Sequence, residues 1–393
     1  MRFLIDEVQL WDGTGAETQR PMSVEVRESR IHWIGPATDW RGDRSSIRII
    51  DGRARTLIPG LMDCHVHYSS PGGPDWIARF TDPLPEISIR AVELAEASLR
   101  SGVTTARDVG APQGVSVRLA RAQQTGEIRG PNLHTAGTWI AHRGTYVAFA
   151  RHFGEASELR DAIKAEIEAG ADLIKVALAA WNEGSKPENA PDIPFDAKLL
   201  AVAVEEAHRA KFKIACHAND STSCHIAAHA GVDSLEHGFF LETADLKAMA
   251  KNGTFLVPTM SVWDAMQYYA RAVDWPENRK KRAEDLRAGS RKAVSSAIDQ
   301  GVQVALGTDA GGGAARHGRI AREAELMVDA GMAPRDALLA GTANAARLIG
   351  EPDRGTIEKG KVADMVLLDG NPLETVSALR LIAAVFQSGH RVA

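Results

Sequence analysis

Cysteine is scarce in this chain. Three in 393 residues (Cys64, Cys216 and Cys224) are too few, and odd in number, for a disulfide framework. An excess of one charge is missing as well: 46 basic against 51 acidic side chains leave a net −5, with no cationic footprint for a nucleic-acid backbone. No apolar run approaches the length of a membrane span, and Asp6 and Glu7 spoil the N-terminus as a signal peptide. Repeats and low-complexity tracts are absent too. These absences exclude a secreted disulfide scaffold, a nucleic-acid binder, a membrane protein and a disordered tail. What is present, 44% hydrophobic and 25% charged residues, is the mix of a globular, cytoplasmic protein with ample core. At this size such a chain is most often an enzyme.

Two rhythms divide the chain. At the N-terminus, β-branched and aromatic residues recur between Gly, Asp and Pro breaks, which predicts strands over Met1–Leu10, Met22–Val26, Arg30–Ile34 and Ile47–Ile50. Gly355–Asp369 and Leu381–Phe386 close the chain in the same style, so both ends are expected to pair into one small β-sandwich. From Leu57 onward, short apolar runs alternate with amphipathic segments. The runs are Leu57–Cys64, Val103–Asp108, Asn132–Trp139, Leu173–Leu178, Lys213–His217, Ser234–His237, Phe255–Pro258 and Val302–Thr308. Helical patterns lie between them, such as Ile89–Ser101, Ala156–Ala169, Ala197–Ala210 and Arg282–Gln300; Arg319–Gly331 and Pro334–Gly350 follow the last run. Gly102, Gly170, Gly231, Gly253 and Gly301 stand where left-handed caps are expected. Strand–helix units with strands apolar on both faces predict an α/β fold, a (β/α)8 TIM-like barrel. The barrel is expected over residues 57–350, with 1–56 and 351–393 forming the two parts of the sandwich domain.

Polar residues fall at particular places on those runs. His65 and His67 end the first, Lys175 lies in the fourth, His217 ends the fifth, His237 ends the sixth and Asp309 follows the eighth. In a parallel barrel the C-terminal strand ends share one face, so all of these would converge on one mouth. Residues two apart on a strand point the same way, so His65 and His67 can hold one ion together. A single strand-end His has an ordinary reading as a hydrogen-bonded rim residue. A lysine inside Leu-Ile-Lys-Val-Ala-Leu is harder to place, because a buried ammonium is costly unless paired to a carboxylate. Taken together, the set is very improbable as separate accidents.

The stretches Gly60-Leu-Met-Asp-Cys-His-Val-His67, Ile174-Lys175-Val176, Cys216-His217-Ala218, Glu236-His237-Gly238 and Gly307-Thr-Asp-Ala310 resemble the metal-binding stations of the amidohydrolase superfamily. Gly355-Thr-Ile-Glu-Lys-Gly-Lys-Val-Ala-Asp364 and Thr342-Ala-Asn-Ala-Ala-Arg347 match it too, so the resemblance covers essentially the whole chain. It is closest to the branch of imidazolonepropionases and prolidase-like or N-acyl-amino-acid hydrolases, and it implies the same barrel and terminal sandwich. It also implies two divalent ions, zinc foremost: His65, His67 and Asp309 on one, His217 and His237 on the other, and an N6-carboxylated Lys175 bridging them. A hydroxide shared between the ions would attack the scissile carbonyl, and Asp309 would pass its proton to the leaving nitrogen. His142, just after the third run, sits where related enzymes place a substrate-binding His and could polarise the carbonyl.

The reaction so implied is hydrolysis of an amide bond in a small molecule, a dipeptide (Xaa-Pro-like) or an N-acyl amino acid, by a homo-oligomeric enzyme. Asn219 departs from prolidase-like relatives, which often carry Tyr there, and this bears on proline specificity. The loops Tyr68–Ile87, Ile140–Ala156, Ala179–Phe195 and Ser261–Asn278 hold all four tyrosines, with Trp76, Phe80, Phe149, Trp181, Trp263 and Trp275. Long loops need anchors of their own, yet this distribution favours a pocket for a hydrophobic or aromatic group. Tyr68, Tyr146, Trp181, His142 and Arg143 are the expected substrate contacts, and one of Arg143, Arg151, Arg316 and Arg319 could hold a substrate carboxylate. Alternatives are an imidazolonepropionase-like cyclic-amide hydrolase, against which Lys175 argues, a carbamate, urea or ester hydrolase, and a non-catalytic barrel, against which the intact ligand set argues. His134, His208 and His229 read as packing residues, and alternation turns Cys64 and Cys216 away from their ligand neighbours.

Overall fold

The computed structural model describes residues 2–178 and 195–393. Its N-terminal strands are β1 (Arg2–Leu10), β2 (Gln19–Arg27), β3 (Arg30–Pro36), β4 (Arg48–Asp51) and β5 (Thr56–Pro59). Gly60 then turns the chain into a different layer, and a Cβ there would meet Thr104 Oγ1 at 2.1 Å, so only glycine lets the two runs approach. Beyond it, β6 (Leu61–Val66), β7 (Val103–Asp108) and β8 (Asn132–Thr135) form a parallel sheet. A second parallel sheet holds β9 (Ile140–His142), β10 (Arg151–Phe153), β11 (Leu173–Ala177), β12 (Lys213–Ala218), β13 (Ser234–His237) and β14 (Phe255–Val257), in the order β10-β9-β11-β12-β13-β14. Every residue of β6, β7, β11 and β13 is buried, as expected of strands covered on both faces.

The eighth apolar run departs from expectation, because it forms no regular strand. It stays extended and spans between the two sheets: Ala305 N donates to Leu256 O at 3.0 Å, Cys64 N to Leu306 O at 2.8 Å and Asp309 N to His65 O at 2.8 Å. Parallel bridges pair Val304 with Leu256 and Ala310 with Val66. The ladder breaks because Gly307 packs too close to Val257 and His65 for any Cβ, and because Asp309 turns left-handed at φ 53°.

Helices cover the parallel strands from outside, their apolar stripes merging with the strands into one core. Ala156–Ala169 occupies the predicted span, and Leu84–Arg100 and Glu277–Asp299 begin earlier than the apolar pattern suggested, each beside a proline at the helix start. All five anticipated cap glycines have positive φ, between 70° and 100°. Pro334–Gly350 is two helices, Pro334–Ala340 and Ala343–Ile349, broken at Gly341-Thr342. Most of the expected loop Ser261–Asn278 is also helical (Met260–Ala272), since Val262, Trp263, Met266 and Ala270 bury one stripe. Glu323 caps that helix by accepting Met260 N at 2.8 Å and Ser261 N at 2.6 Å.

The last strands, β15 (Met365–Leu368), β16 (Ile382–Gln387) and β17 (His390–Arg391), join the first in one eight-stranded sheet, β17-β16-β15-β5-β1-β2-β3, with β4 pairing β1. This sheet has its own core, including Phe3, Ile5, Val24, Leu57, Met365 and Phe386. The rings of Phe3 in β1 and Phe386 in β16 stack at 5.2 Å. Three strand spacings in a flat sheet would separate them by about 14 Å, so the sheet curls upon itself. No helix among the described residues is long and apolar enough to cross a membrane.

Candidate active site

Strand alternation sorts β6. Met62 and Cys64 point into a cluster with Val257, Ala305 and Leu348, which leaves His65 on the opposite side. His67 follows one residue beyond the strand, and Asp309 arrives at the end of the spanning segment. His65 Nε2 and His67 Nε2 lie 3.5 Å and 3.4 Å from Asp309 Oδ1. His237, the last residue of β13, brings its ring within 5.1 Å of His65, and His217 of β12 lies 4.6 Å from His237. Ligand atoms of His65, His237 and Asp309 fall within 4.8 Å of one another. Lys175, on β11, is 1% exposed. The convergence costs backbone strain: Asp309 and His237 have φ of 53° and 74°, as do few non-glycine residues. Gly312 makes room for the result, since a Cβ there would sit 2.1 Å from Asp309 Oδ1.

A second layer orients the imidazoles. His65 Nδ1 donates to Glu236 Oε2 at 2.6 Å, His67 Nδ1 to Gly110 O at 2.8 Å, and His237 Nδ1 lies 2.7 Å from Thr259 Oγ1. With Nδ1 donating to a carboxylate and a carbonyl, His65 and His67 present the lone pair of Nε2 to the common centre. Burial, reinforced by nearby positive groups, holds His65, His217 and His237 well below the ordinary imidazole range, so these rings are neutral. Glu236 itself is fully buried, and burial would raise its carboxyl; Arg107, whose Nη2 donates to Oε1 at 2.8 Å, and Lys175 prevail and hold it below the usual value. Asp63 ties the layers together by accepting Thr308 Oγ1 at 2.7 Å and His65 N at 3.2 Å, and burial pushes it up to about 6.

Lys175 Nζ and His217 Nε2, like the indole nitrogens of Trp139 and Trp263 in the cleft walls, are buried with no hydrogen-bond partner among the described residues. Burial pushes the Lys175 ammonium down to about 8. Neutral imidazoles, a carboxylate and an orphaned amine facing one centre are a donor set that fits divalent cations. Over it opens a narrow cleft floored by His65, His67, His217, His237 and Asp309. Its walls are aromatic: Trp76, Phe80, Trp139, Tyr146, Phe149 and Trp263. Trp139 packs 5.2 Å from the His67 ring and Tyr146 5.0 Å from His217, so the apolar wall reaches the polar floor.

The expected substrate contacts divide. Tyr146 borders the cavity, whereas Tyr68 is wholly buried behind it, stacked on His317 at 5.0 Å. His142 and Arg143 are not in the lining: Arg143 N is held by Phe153 O across to β10, the His142 ring packs on Phe153 at 5.4 Å and Arg143 pairs with Glu158. Arg151 is taken by Glu166 at 2.6 Å, and Arg316 and Arg319 are exposed and outside the lining. Trp181 lies outside the described residues. Sequence reasoning passed over Arg107, Glu236 and Trp139. The first two carried a usable signal, a charged residue inside a buried apolar run, the same one that singled out Lys175.

The sequence model of the Amidohydrolase family matches residues 56–392. An Aspergillus niger protein named ochratoxinase is 30% identical over 407 residues, spanning 94% of this chain and 82% of its own. The imidazolonepropionase of Paracoccus denitrificans is 25% identical, covering 91% and 89%. Among solved structures, a Xaa-Pro dipeptidase with methionine bound in its active site superposes with a TM-score of 0.88 at 28% identity, covering 100% of this chain and 99% of that one.

Proposed function

The chain belongs to the amidohydrolase family and hydrolyses a C–N bond; from that premise we propose a two-metal amidase acting on a small N-acyl amino acid or dipeptide that carries a hydrophobic or aromatic group. His65, His67 and Asp309 would hold one zinc ion and His217 and His237 a second, and Lys175, in N6-carboxylated form, would supply a ligand to the pair. Supporting this are the neutral imidazoles turned to one centre and the orphaned amine of Lys175. Loss of one proton from the Lys175 ammonium, addition of CO2 to the resulting amine and release of a second proton would replace a buried cation by a two-oxygen anion. That change ends the cost of an unpaired ammonium in the core. When bound, the ions supply a Lewis acid for the carbonyl and lower the pKa of water. Asp309, at the floor of the cavity, takes the proton of the attacking water and delivers it to the leaving nitrogen. Trp76, Phe80, Trp139, Tyr146, Phe149 and Trp263 hold the apolar part of the substrate and exclude bulk water. The hydrogen bonds that carry the spanning segment from β14 to β6 support one closed (β/α)8 barrel that begins at Leu61, after the Gly60 turn, rather than at Leu57, and runs to Gly350. The Phe3–Phe386 stack supports a β-sandwich that includes β5 and so takes in residues 1–59 with 351–393.

The observation that carries the reading is the aromatic wall standing directly on a floor of ligand-type side chains. The dipeptidase structure, with a hydrophobic amino acid in its active site, favours the same substrate class. Zinc-loaded protein offered dipeptides, N-acyl amino acids, lactams and carbamates is expected to hydrolyse N-acyl amino acids or dipeptides with Phe, Leu or Met side chains fastest. Preference for a lactam or a carbamate would overturn the substrate assignment.

A further inference from the structure

A second cluster of ligating side chains lies away from the cavity, on the outer helices. His225 and His229 occupy i and i+4 of helix Ser221–Ala230, so their rings share one face, with centroids 4.6 Å apart. Asp245, on helix Thr243–Asn252, meets both: its Oδ1 is 2.8 Å from His225 Nδ1 and 3.4 Å from His229 Nε2. One ligand atom from each of the three residues lies within 4.8 Å of the others. The Asp245 side chain is 3% exposed, whereas the imidazoles are 64% and 46% exposed, so the carboxylate is set in place and solvent reaches the histidines. Its other oxygen is already committed, because Oδ2 accepts Glu242 N at 2.9 Å in a capping box. That bond fixes the carboxylate's rotation and aims Oδ1 at the two rings.

We propose that His225, His229 and Asp245 form a divalent-metal site separate from the catalytic cavity, suited to zinc or another borderline first-row ion. Two imidazoles and one carboxylate are a donor set for such ions. Tetrahedral bonds of about 2.0–2.1 Å place neighbouring ligand atoms about 3.3 Å apart, and the two measured nitrogen–oxygen separations bracket that value. A cation satisfies both nitrogens and Oδ1 together, which a proton shared between one ring and the carboxylate does not. The exposed side leaves room for water, so the ion exchanges with solvent. Bound there, it ties together the helices that follow β12 and β13, two strands that carry floor histidines of the cavity, His217 next to the end of one and His237 at the end of the other. Its effect is on stability, not on the chemical step.

The test compares wild-type protein with a His225→Ala/His229→Ala variant, both desalted and titrated with Zn2+ by calorimetry. Reading the difference between the two removes the number of ions held in the cavity from the result. Wild type is expected to take up about one equivalent more than the variant, to show a larger rise in Tm with zinc, and to turn over at the same rate as the variant. Cu2+ added at substoichiometric amounts should give an electron paramagnetic resonance signal split by imidazole nitrogen that the variant weakens. Equal zinc uptake and equal Tm shifts in the two proteins would overturn the proposal and leave His225–Asp245 as an ion pair only.

Discussion

The proposed acid–base chemistry falls on one carboxylate, that of Asp309. It lies within 3.5 Å of two imidazole nitrogens, faces the aromatic cavity and is held in a left-handed turn. Asp309→Asn keeps the size and a carbonyl oxygen but cannot accept a proton, so kcat/KM should fall roughly 10²–10⁴-fold while metal is largely retained. Steady-state kinetics beside metal analysis of the same sample checks this; a near wild-type rate in metal-loaded Asp309→Asn would remove the acid–base role. Gly312→Ala probes the same carboxylate from its neighbour. Gly312 does not need a left-handed backbone, but its new Cβ would meet Asp309 Oδ1 at 2.1 Å. The variant should therefore fold with nearly unchanged Tm and lose activity, and equal activity would show that the carboxylate has freedom to move. The sequence revealed Asp309 as a polar residue closing an apolar run. It could not reveal the need for Gly312, because that need arises from a close approach that exists only once the turn is folded. His142 and Arg143 illustrate the same limit: their place after the third run was readable, but not the pairing of β9 with β10 or the contacts with Phe153 and Glu158 that occupy them.

At the scale of elements, β2 carries a prediction about acid stability. Glu25 is buried in the terminal sheet and receives Arg2 and Arg27 at 2.8 Å and Trp40 Nε1 at 3.0 Å. Burial would raise its carboxyl, but these three donors overrule it and bring the value from 4.5 down to about 2. A carboxyl depressed in the folded state stabilises above its unfolded value and loses that contribution as pH falls toward the folded one. Unfolding free energy should therefore drop by roughly 1–3 kcal/mol between about pH 4.5 and pH 2, and Glu25→Gln should flatten the profile in that window. Urea titrations across the window measure it; identical slopes in both proteins would contradict the linkage. Element types followed from local signals wherever period and punctuation agreed, as in Ala156–Ala169 with Gly170 behind it. Two segments escaped. The aromatic stretch from Ser261 hid a helix whose cap, Glu323, comes from a distant part of the chain. The eighth run had strand composition, but the tight approach at Gly307 and the turn at Asp309 kept it out of a regular ladder.

For the whole molecule, the pairing of both chain ends into one sheet and the alternation of strand and helix were both visible in the sequence. Apolar periodicity fixes which faces are buried, and glycine fixes where helices stop. The convergence of His65, His67, His217, His237 and Asp309 on one floor was readable from strand ends, because parallel strands put those ends on one side; Lys175 lies in the middle of its strand and stood out by its charge alone. The wall above them was legible only in part, for Trp139 lies in a run that reads as core and the charged pair Arg107–Glu236 serves the site from behind. The proposed centre holds two metal ions and a modified Lys175. The most direct test is anomalous diffraction at the zinc edge from crystals of the zinc-loaded enzyme. Two zinc peaks in the cavity are predicted, one beside His65, His67 and Asp309 and one beside His217 and His237, with carboxylate density extending from Lys175 Nζ between them. A single peak, or two peaks beside an unmodified Lys175, would contradict the account.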